Sequence, residues 1–340
     1  MTCCFSVITE HDVWSKYISK ADEYDFYHTW EYHHLDQTGE PILFVYEEHD
    51  VFIACPFIKR KIEHTEWFDL TSVYGYSGPF SNQKISTIPN EIQLNFAQNF
   101  KDFLSTENYV SVFARLHPFL NQVELLSNLG GLIQNGKTIY IDLSTSLADQ
   151  RNAYHKRLWR QIKQLKNKNY VIKLSKESHE INRFGKMYQE NMDRLSANPA
   201  YYFDQKYFYD LCHSNEIDCK LLAIYDESEM ICAAIIGVSN SVIRNHLSAT
   251  HVDYTKESPS KLLTDEISLI GRKINLKYFH LGGGLGGKFD SLFDFKAYFS
   301  PLLLDDFIWC YIANEEIYQQ LNLQYNPLNL NKKFPSYRVI

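Results

Sequence analysis

The segment Ile42-Leu-Phe-Val-Tyr-Glu-Glu-His-Asp-Val-Phe-Ile-Ala54 returns without a gap, at a constant offset of 179, as Leu221-Leu-Ala-Ile-Tyr-Asp-Glu-Ser-Glu-Met-Ile-Cys-Ala233. Tyr46 falls on Tyr225, Glu47 and Glu48 on Asp226 and Glu227, and Ala54 on Ala233. Each copy reads as apolar strand, acidic turn, apolar strand, which predicts two β-hairpins of one type. A short aromatic helical segment precedes each, Trp30 to Asp36 and Tyr207 to Cys212. An offset of half the chain predicts two copies of one domain and excludes a solenoid, whose periods are ~20–50 residues. Acidic hairpins occur in any α/β protein, so the repeat needs support from length. The 340 residues, at about 150 per domain, also predict two domains. An apolar share of 45% with 24 Tyr, 22 Phe and 5 Trp excludes a disordered chain. The net charge of -7 excludes a surface basic throughout, so polyanion partners must be argued locally and no DNA partner is expected.

The boundary is expected near Asp142-Leu-Ser-Thr-Ser-Leu, giving domains 1–145 and 146–340, with the C-terminal tail free to pack on the first. There a strand, Thr138 to Leu143, gives way to a helix capped by Ser144, Thr145 or Ser146. That helix, 147–167, puts Leu147, Tyr154, Leu158, Ile162 and Leu165 on one stripe. Its other face carries Arg151, Lys156, Arg157, Arg160, Lys163, Lys166 and Lys168 against one nearby acid, Asp149. Lys156, Arg157 and Arg160 are candidates for a tRNA backbone or a nucleotide phosphate; a solvated amphipathic face is the other reading. Strand Tyr170–Leu174, helix Glu180–Leu195, the second hairpin, strand Ile243–Ala249, helix Ser260–Ile274 and strand Lys277–Leu281 follow. Such alternation predicts an α/β fold with mixed sheets. The first ten residues lack a basic start and a long apolar stretch, and the longest apolar run, Met230 to Val238, falls short of a membrane span. With seven cysteines and no Cys-x-x-Cys pair, a cytoplasmic protein without metal is expected.

The most concentrated feature is Leu281-Gly-Gly-Gly-Leu-Gly-Gly-Lys-Phe-Asp-Ser-Leu-Phe-Asp-Phe-Lys-Ala-Tyr-Phe299, where five of 14 glycines fall between 282 and 287. As a phosphate-binding P-loop it lacks the hydroxyl that ligates magnesium, because Phe289 follows Lys288. As a dinucleotide fingerprint it stands too near the end of the chain, with no parallel strands left to follow. What remains is backbone able to approach a ligand closely, with N–H groups at a helix N-terminus to hold an oxyanion. Gly282, Gly283 and Gly284 are therefore candidate binding positions. Leu292, Phe295, Lys296 and Phe299 share one stripe of the following helix, which sets Lys296 among apolar neighbours. An ammonium there is suited to stabilise the oxyanion formed when an amine attacks a carbonyl; snorkelling to the surface is the alternative. His280 precedes the loop and reads as a base or as a packing residue.

These residues carry a resemblance to the FemAB family of peptidoglycan-bridge aminoacyltransferases, built from two fused GNAT-like acyltransferase domains. The resemblance rests on the repeat, on Lys156, Arg157 and Arg160, and on Met187-Tyr-Gln-Glu-Asn-Met-Asp-Arg194. Ser258-Pro-Ser-Lys-Leu-Leu, His280-Leu-Gly-Gly-Gly and Leu292-Phe-Asp-Phe-Lys-Ala-Tyr-Phe299 complete it. It implies transfer of an activated acyl group to an amine of a small or lipid-linked cell-envelope precursor. No bound cofactor is implied, and the donor is an aminoacyl-tRNA or an acyl-CoA. Lys296 stands where the family's transition-state lysine stands, Arg194 inherits contact with the acceptor's phosphate, and Tyr74 and Tyr76 line the acceptor cleft by the same analogy. The Arg/Gln-x-x-Gly-x-Gly/Ala loop of acetyl-CoA users is absent from both halves. Two further readings stand beside this one: an acyl-CoA-dependent N-acyltransferase acting on an amino sugar, and a non-catalytic phosphate- or tRNA-binding module.

Overall fold

Both copies of the repeat fold as antiparallel hairpins in the computed structural model, which describes residues 5–328 and 333–338. Cys3 and Cys4 lie outside the described residues. The chain forms two units, Met1–Gly136 with Asp305–Ile340, and Lys137–Leu304. In chain order the elements are β1 (Phe5–Ile8), α1 (His11–Lys20), α2 (Trp30–His33), β2 (Glu40–Glu48), β3 (Val51–Lys61), β4 (Phe68–Thr71), β5 (Phe80–Ser81), α3 (Asn90–Thr106), β6 (Tyr109–Arg115), α4 (Gln122–Ser127) and β7 (Leu132–Asp142). Then come α5 (Leu147–Ala153), α6 (Lys156–Lys166), β8 (Val171–Ser175), α7 (Ser178–Arg194), α8 (Gln205–His213), β9 (Asp218–Asp226), β10 (Glu229–Ser239), β11 (Val242–Thr250), α9 (Ser260–Lys273), β12 (Tyr278–Gly282), α10 (Ser291–Ala297), β13 (Leu303–Ile312) and α11 (Glu315–Tyr325).

Each unit is α/β with a mixed sheet, as the alternation of elements predicts. In the first, the order is β1-β2-β3-β4-β6-β13, with β4 and β6 parallel. In the second, the later part of β7 starts the order β7-β12-β11-β10-β9-β8, with β11 and β12 parallel. The division expected after residue 145 falls inside β7 instead, because residues 139–142 run antiparallel to β12. The segment from Asp305 onward belongs with the first unit, where β13 pairs with β6.

The hairpins correct the sequence alignment by one residue. β2 and β9 are equally long, and both turns open on a residue in the left-handed region, His49 and Glu227, a spacing one shorter than the sequence offset. A bulge between Met230 and Cys232 adds the extra residue and restores the offset along β10. Tyr46 therefore packs beside Phe96 of α3, whereas Tyr225 turns to Glu180 of α7 and donates to its carboxylate. Both faces of these strands are buried, so no polar alternation marks their register.

In the first unit α3 sets Phe96, Phe100 and Phe103 at i, i+4 and i+7 against β2 and β3. Phe100 lies 5.0 Å from Phe44, 6.0 Å from Phe57 and 5.5 Å from Trp309, centroid to centroid. Leu43, Val45, Phe52 and Ala54 pack from the other face on Trp14 and Ile18 of α1. In the second unit Leu158, Ile162 and Leu165 of α6 join Leu262, Leu263 and Ile267 of α9 over β10, β11 and β12. No helix among the described residues is long and apolar enough to cross a membrane. Phe100→Ala is expected to lower unfolding free energy by about 3–5 kcal/mol through cavity formation, read as a shift in the urea midpoint at constant m-value.

Candidate functional site

β11 and β12 are paired over three residues only, Val242 with Tyr278, Ile243 with Phe279 and Arg244 with His280. Beyond that point β11 continues on its partner β10 to Thr250, while β12 ends at Gly282. The two strands part and leave a wedge in the second unit. The corresponding pair in the first unit stays closed: β4 pairs with β6 along its length, and Ser77 bridges to Leu116 after the intervening loop.

The glycine loop opens at the end of β12. Gly282 has φ of 77, a conformation that side chains disfavour. A Cβ on Gly283 would lie 2.7 Å from the Lys137 carbonyl oxygen, so the backbone closes against β7 here. The Lys296 Nζ, half-buried on α10, donates to the Gly283 carbonyl at 2.5 Å. Lys296, Gly282, Gly283 and Gly284 are thus brought together. Phe279 and Leu281 pack in the core with α9, so strand alternation puts His280 on the opposite face, beside Arg244, and both are almost fully buried.

The helix N-terminus offered to a ligand by the sequence is already capped. Asp290 accepts from the Phe293 N–H at 2.9 Å and from the Leu285 N–H at 3.0 Å. Those two amides, Phe293 first, hold its carboxyl below the ordinary aspartate range. The chain's own carboxylate fills the place expected for an anion, and the loop serves to aim Lys296. Asp-Ser-Leu-Phe is a readable N-cap signal that the sequence reading passed over.

The single helix expected over 147–167 is two helices. Tyr154 is extended between them, because its hydroxyl reaches the buried Asp265 at 3.1 Å and its ring packs edge-on against Phe299. His155 donates its N–H to the Tyr298 carbonyl at 2.9 Å, which sets the start of α6 against the end of α10. The basic face also changes. Asp265 pairs with Arg151 at 3.0 Å and Lys166 at 2.8 Å, Glu266 pairs with Lys166, and Glu257 pairs with Lys168. These acids lie about 100 residues further along the chain, out of reach of local reading. Lys156, Arg157 and Arg160 stay exposed, and no acid pairs with them among the described residues.

One further cation was missed. Lys261 lies in the first turn of α9, which has no acid there and no side-chain cap. Burial, and after it the nearby Arg157, hold its ammonium below the ordinary lysine range. A cation at the positive end of a helix is unfavourable until an anion joins it, and that misplacement was legible in Ser258-Pro-Ser-Lys.

Arg194 ends α7, exposed, and donates to Asn191 at 2.7 Å. Tyr74 and Tyr76 belong to the first unit: Tyr32 donates to the Tyr74 carbonyl at 2.7 Å, and Arg115 lies over the Tyr76 ring at 5.7 Å. Among the described residues no three of His, Cys, Asp and Glu gather as metal ligands would.

Comparison of the sequence with protein families and with curated proteins finds no match. Solved structures do match. FemX aligns at a TM-score of 0.70 and 11% identity over 93% of this chain and 99% of that one. L-PGS from Bacillus licheniformis aligns at 0.58 and 12%, over 90% and 93%. A conserved protein of unknown function from Bacteroides thetaiotaomicron VPI-5482 aligns at 0.59 and 11%, over 90% and 99%. At such identities the likeness is one of fold.

Because the Asp290 carboxyl is depressed in the folded chain, its stabilisation is present above the ordinary aspartate pKa and is lost as pH falls through the folded value. Asp290→Ala is expected to cost about 1 kcal/mol at neutral pH. In thermal melts the gap from wild type should narrow as the buffer is acidified below the carboxylate range.

Proposed function

We propose that the chain is an acyltransferase that moves an activated acyl or aminoacyl group to an amine of a cell-envelope precursor, peptidoglycan or a related glycoconjugate, on the cytoplasmic side. The observation that carries this reading is the Lys296 ammonium, held by the Gly283 carbonyl where β11 and β12 part. Attack of an amine on an ester or thioester puts negative charge on the carbonyl oxygen. A positioned cation in a partly desolvated wedge stabilises that charge more than it stabilises the neutral ground state. The fold likeness to FemX supports the same reading.

The donor is proposed to bring its phosphates to Lys261 and Arg157, with Lys156 and Arg160 continuing the basic surface along α6. A charged tRNA fits this extended row. A pyrophosphate, as in an acyl-CoA, would need only Lys261, Arg157 and the first amides of α9, which keeps N-acylation of an amino sugar as the second reading. Arg194 is assigned to the acceptor's phosphate, and Tyr74 and Tyr76 to acceptor contact, by the resemblance alone.

Lys296→Met is expected to lower turnover by about 10²–10³-fold with the fold retained; unchanged turnover in a folded variant refutes the assignment, and wild type that binds but transfers nothing favours a non-catalytic binding module. Charged tRNA and acyl-CoA offered separately, with product mass followed on an envelope-precursor fraction, discriminate the donors. If tRNA is the donor, replacing Lys156, Arg157 and Arg160 together by alanine should flatten the slope of log affinity against log salt by about two to three.

A further inference from the structure

Both strands of the wedge leave regular geometry at the same level. Two residues beyond the Arg244–His280 pair, β12 turns away at Gly282. Two residues beyond it on the other strand stands His246, passed over between the pairs Asn245–Ile236 and Leu247–Ile235, which makes it the bulged residue of β11. His246 on β11 and Gly282 on β12 thus each stand two residues past the last pair, where the two strands part. The carbonyl that holds Lys296 is one residue past Gly282. A bulge re-aims the side chain it carries, and here the imidazole meets α8. Its Nε2 lies 2.9 Å from the Tyr207 hydroxyl, Phe203 stacks on Tyr207 at 4.3 Å, and His246 is 7% exposed.

We propose that His246, working through Tyr207, takes the proton of the attacking amine; the assignment rests on the acyl-transfer reading. The amine lone pair forms the C–N bond, and the carbonyl π pair moves onto the oxygen that faces Lys296. The Tyr207 hydroxyl passes its proton to the unprotonated Nε2 and receives the surplus proton of the new ammonium. On collapse the C–O or C–S bond breaks, its electron pair leaves with the donor's oxygen or sulfur, and the proton returns from His246 through Tyr207 to that atom. Nothing is oxidised or reduced.

The test is steady-state kinetics of the full chain with the donor and acceptor on which wild type is active. His246→Gln and His246→Ala are expected to lower kcat by about 10²–10⁴-fold with donor KM unchanged. Added imidazole should restore His246→Ala but not Lys296→Met, and Tyr207→Phe should also lose kcat. A folded His246→Gln that keeps wild-type kcat overturns the assignment while leaving acyl transfer in place. A kcat loss in His246→Ala that imidazole does not restore and that His246→Gln escapes assigns a packing role and overturns it as well. A wild type that transfers from neither donor overturns the acyl-transfer reading, and this assignment with it.

Discussion

Parallel strands that stop pairing leave main-chain donors and acceptors along two facing edges, and buried groups of that kind must find partners. The second unit holds this situation open where β11 leaves β12 after three pairs. Everything distinctive about the unit is arranged around it. β12 ends in a glycine turn, α10 is capped so that its lysine points back at that turn, and α9 begins with an uncompensated cation. The first unit resolves the same situation by closure. Ser72 accepts the Arg115 amide, the Ser77 amide reaches the Arg115 carbonyl, and the strands are zipped through Leu116.

The two units also differ in charge at the helix that follows the hairpin and its next strand. α3 starts after Pro89 with Glu91 in its first turn, which suits the helix dipole and needs no ligand. α9 starts after Pro259 with Lys261 and has Arg157 close by. On α5 and in the last turn of α6, Arg151 and Lys166 are neutralised. The fully buried Asp265 takes Arg151, Lys166 and the Tyr154 hydroxyl together, and a buried carboxylate with that many donors is one whose loss of a partner is costly. The basic character that survives on α6 is that of Lys156, Arg157 and Arg160, with Lys163 lying over the Trp159 ring.

Much of the fold was legible because its signals are local. Helical spacing, acid-rich turns and strands bounded by polar segments placed β8, α7, β11, α9 and β12 of the second unit within two residues, while most of the first unit outside its hairpin gave no such signal. The hairpin register slipped because β2 and β9 are buried on both faces, and a one-residue bulge in β10 leaves no compositional trace. Tyr154 broke its helix for a partner on α9, and the acids that quench Arg151, Lys166 and Lys168 come from the same distant stretch. In the candidate site, Lys296 stands out in the sequence because lysine on an apolar stripe is locally anomalous. His246 carries no such signal, because a lone histidine in a strand is uninformative until the pairing of that strand is known.

The routing of β7 and β13 has a consequence for biosynthesis. The strand that follows α4 leaves for the second unit after Gly136, and the strand that completes the first unit beside β6 comes only with Asp305. During translation the first 136 residues emerge with an apolar edge, Val110, Val112 and Ala114, whose native neighbour is still unmade. At about 5–20 residues per second that edge waits on the order of ten seconds or more, the kind of exposure that invites pairing with another chain. The order of synthesis thus runs against the order of assembly, and the nascent protein depends on whatever shields that edge until its own C-terminal strand arrives.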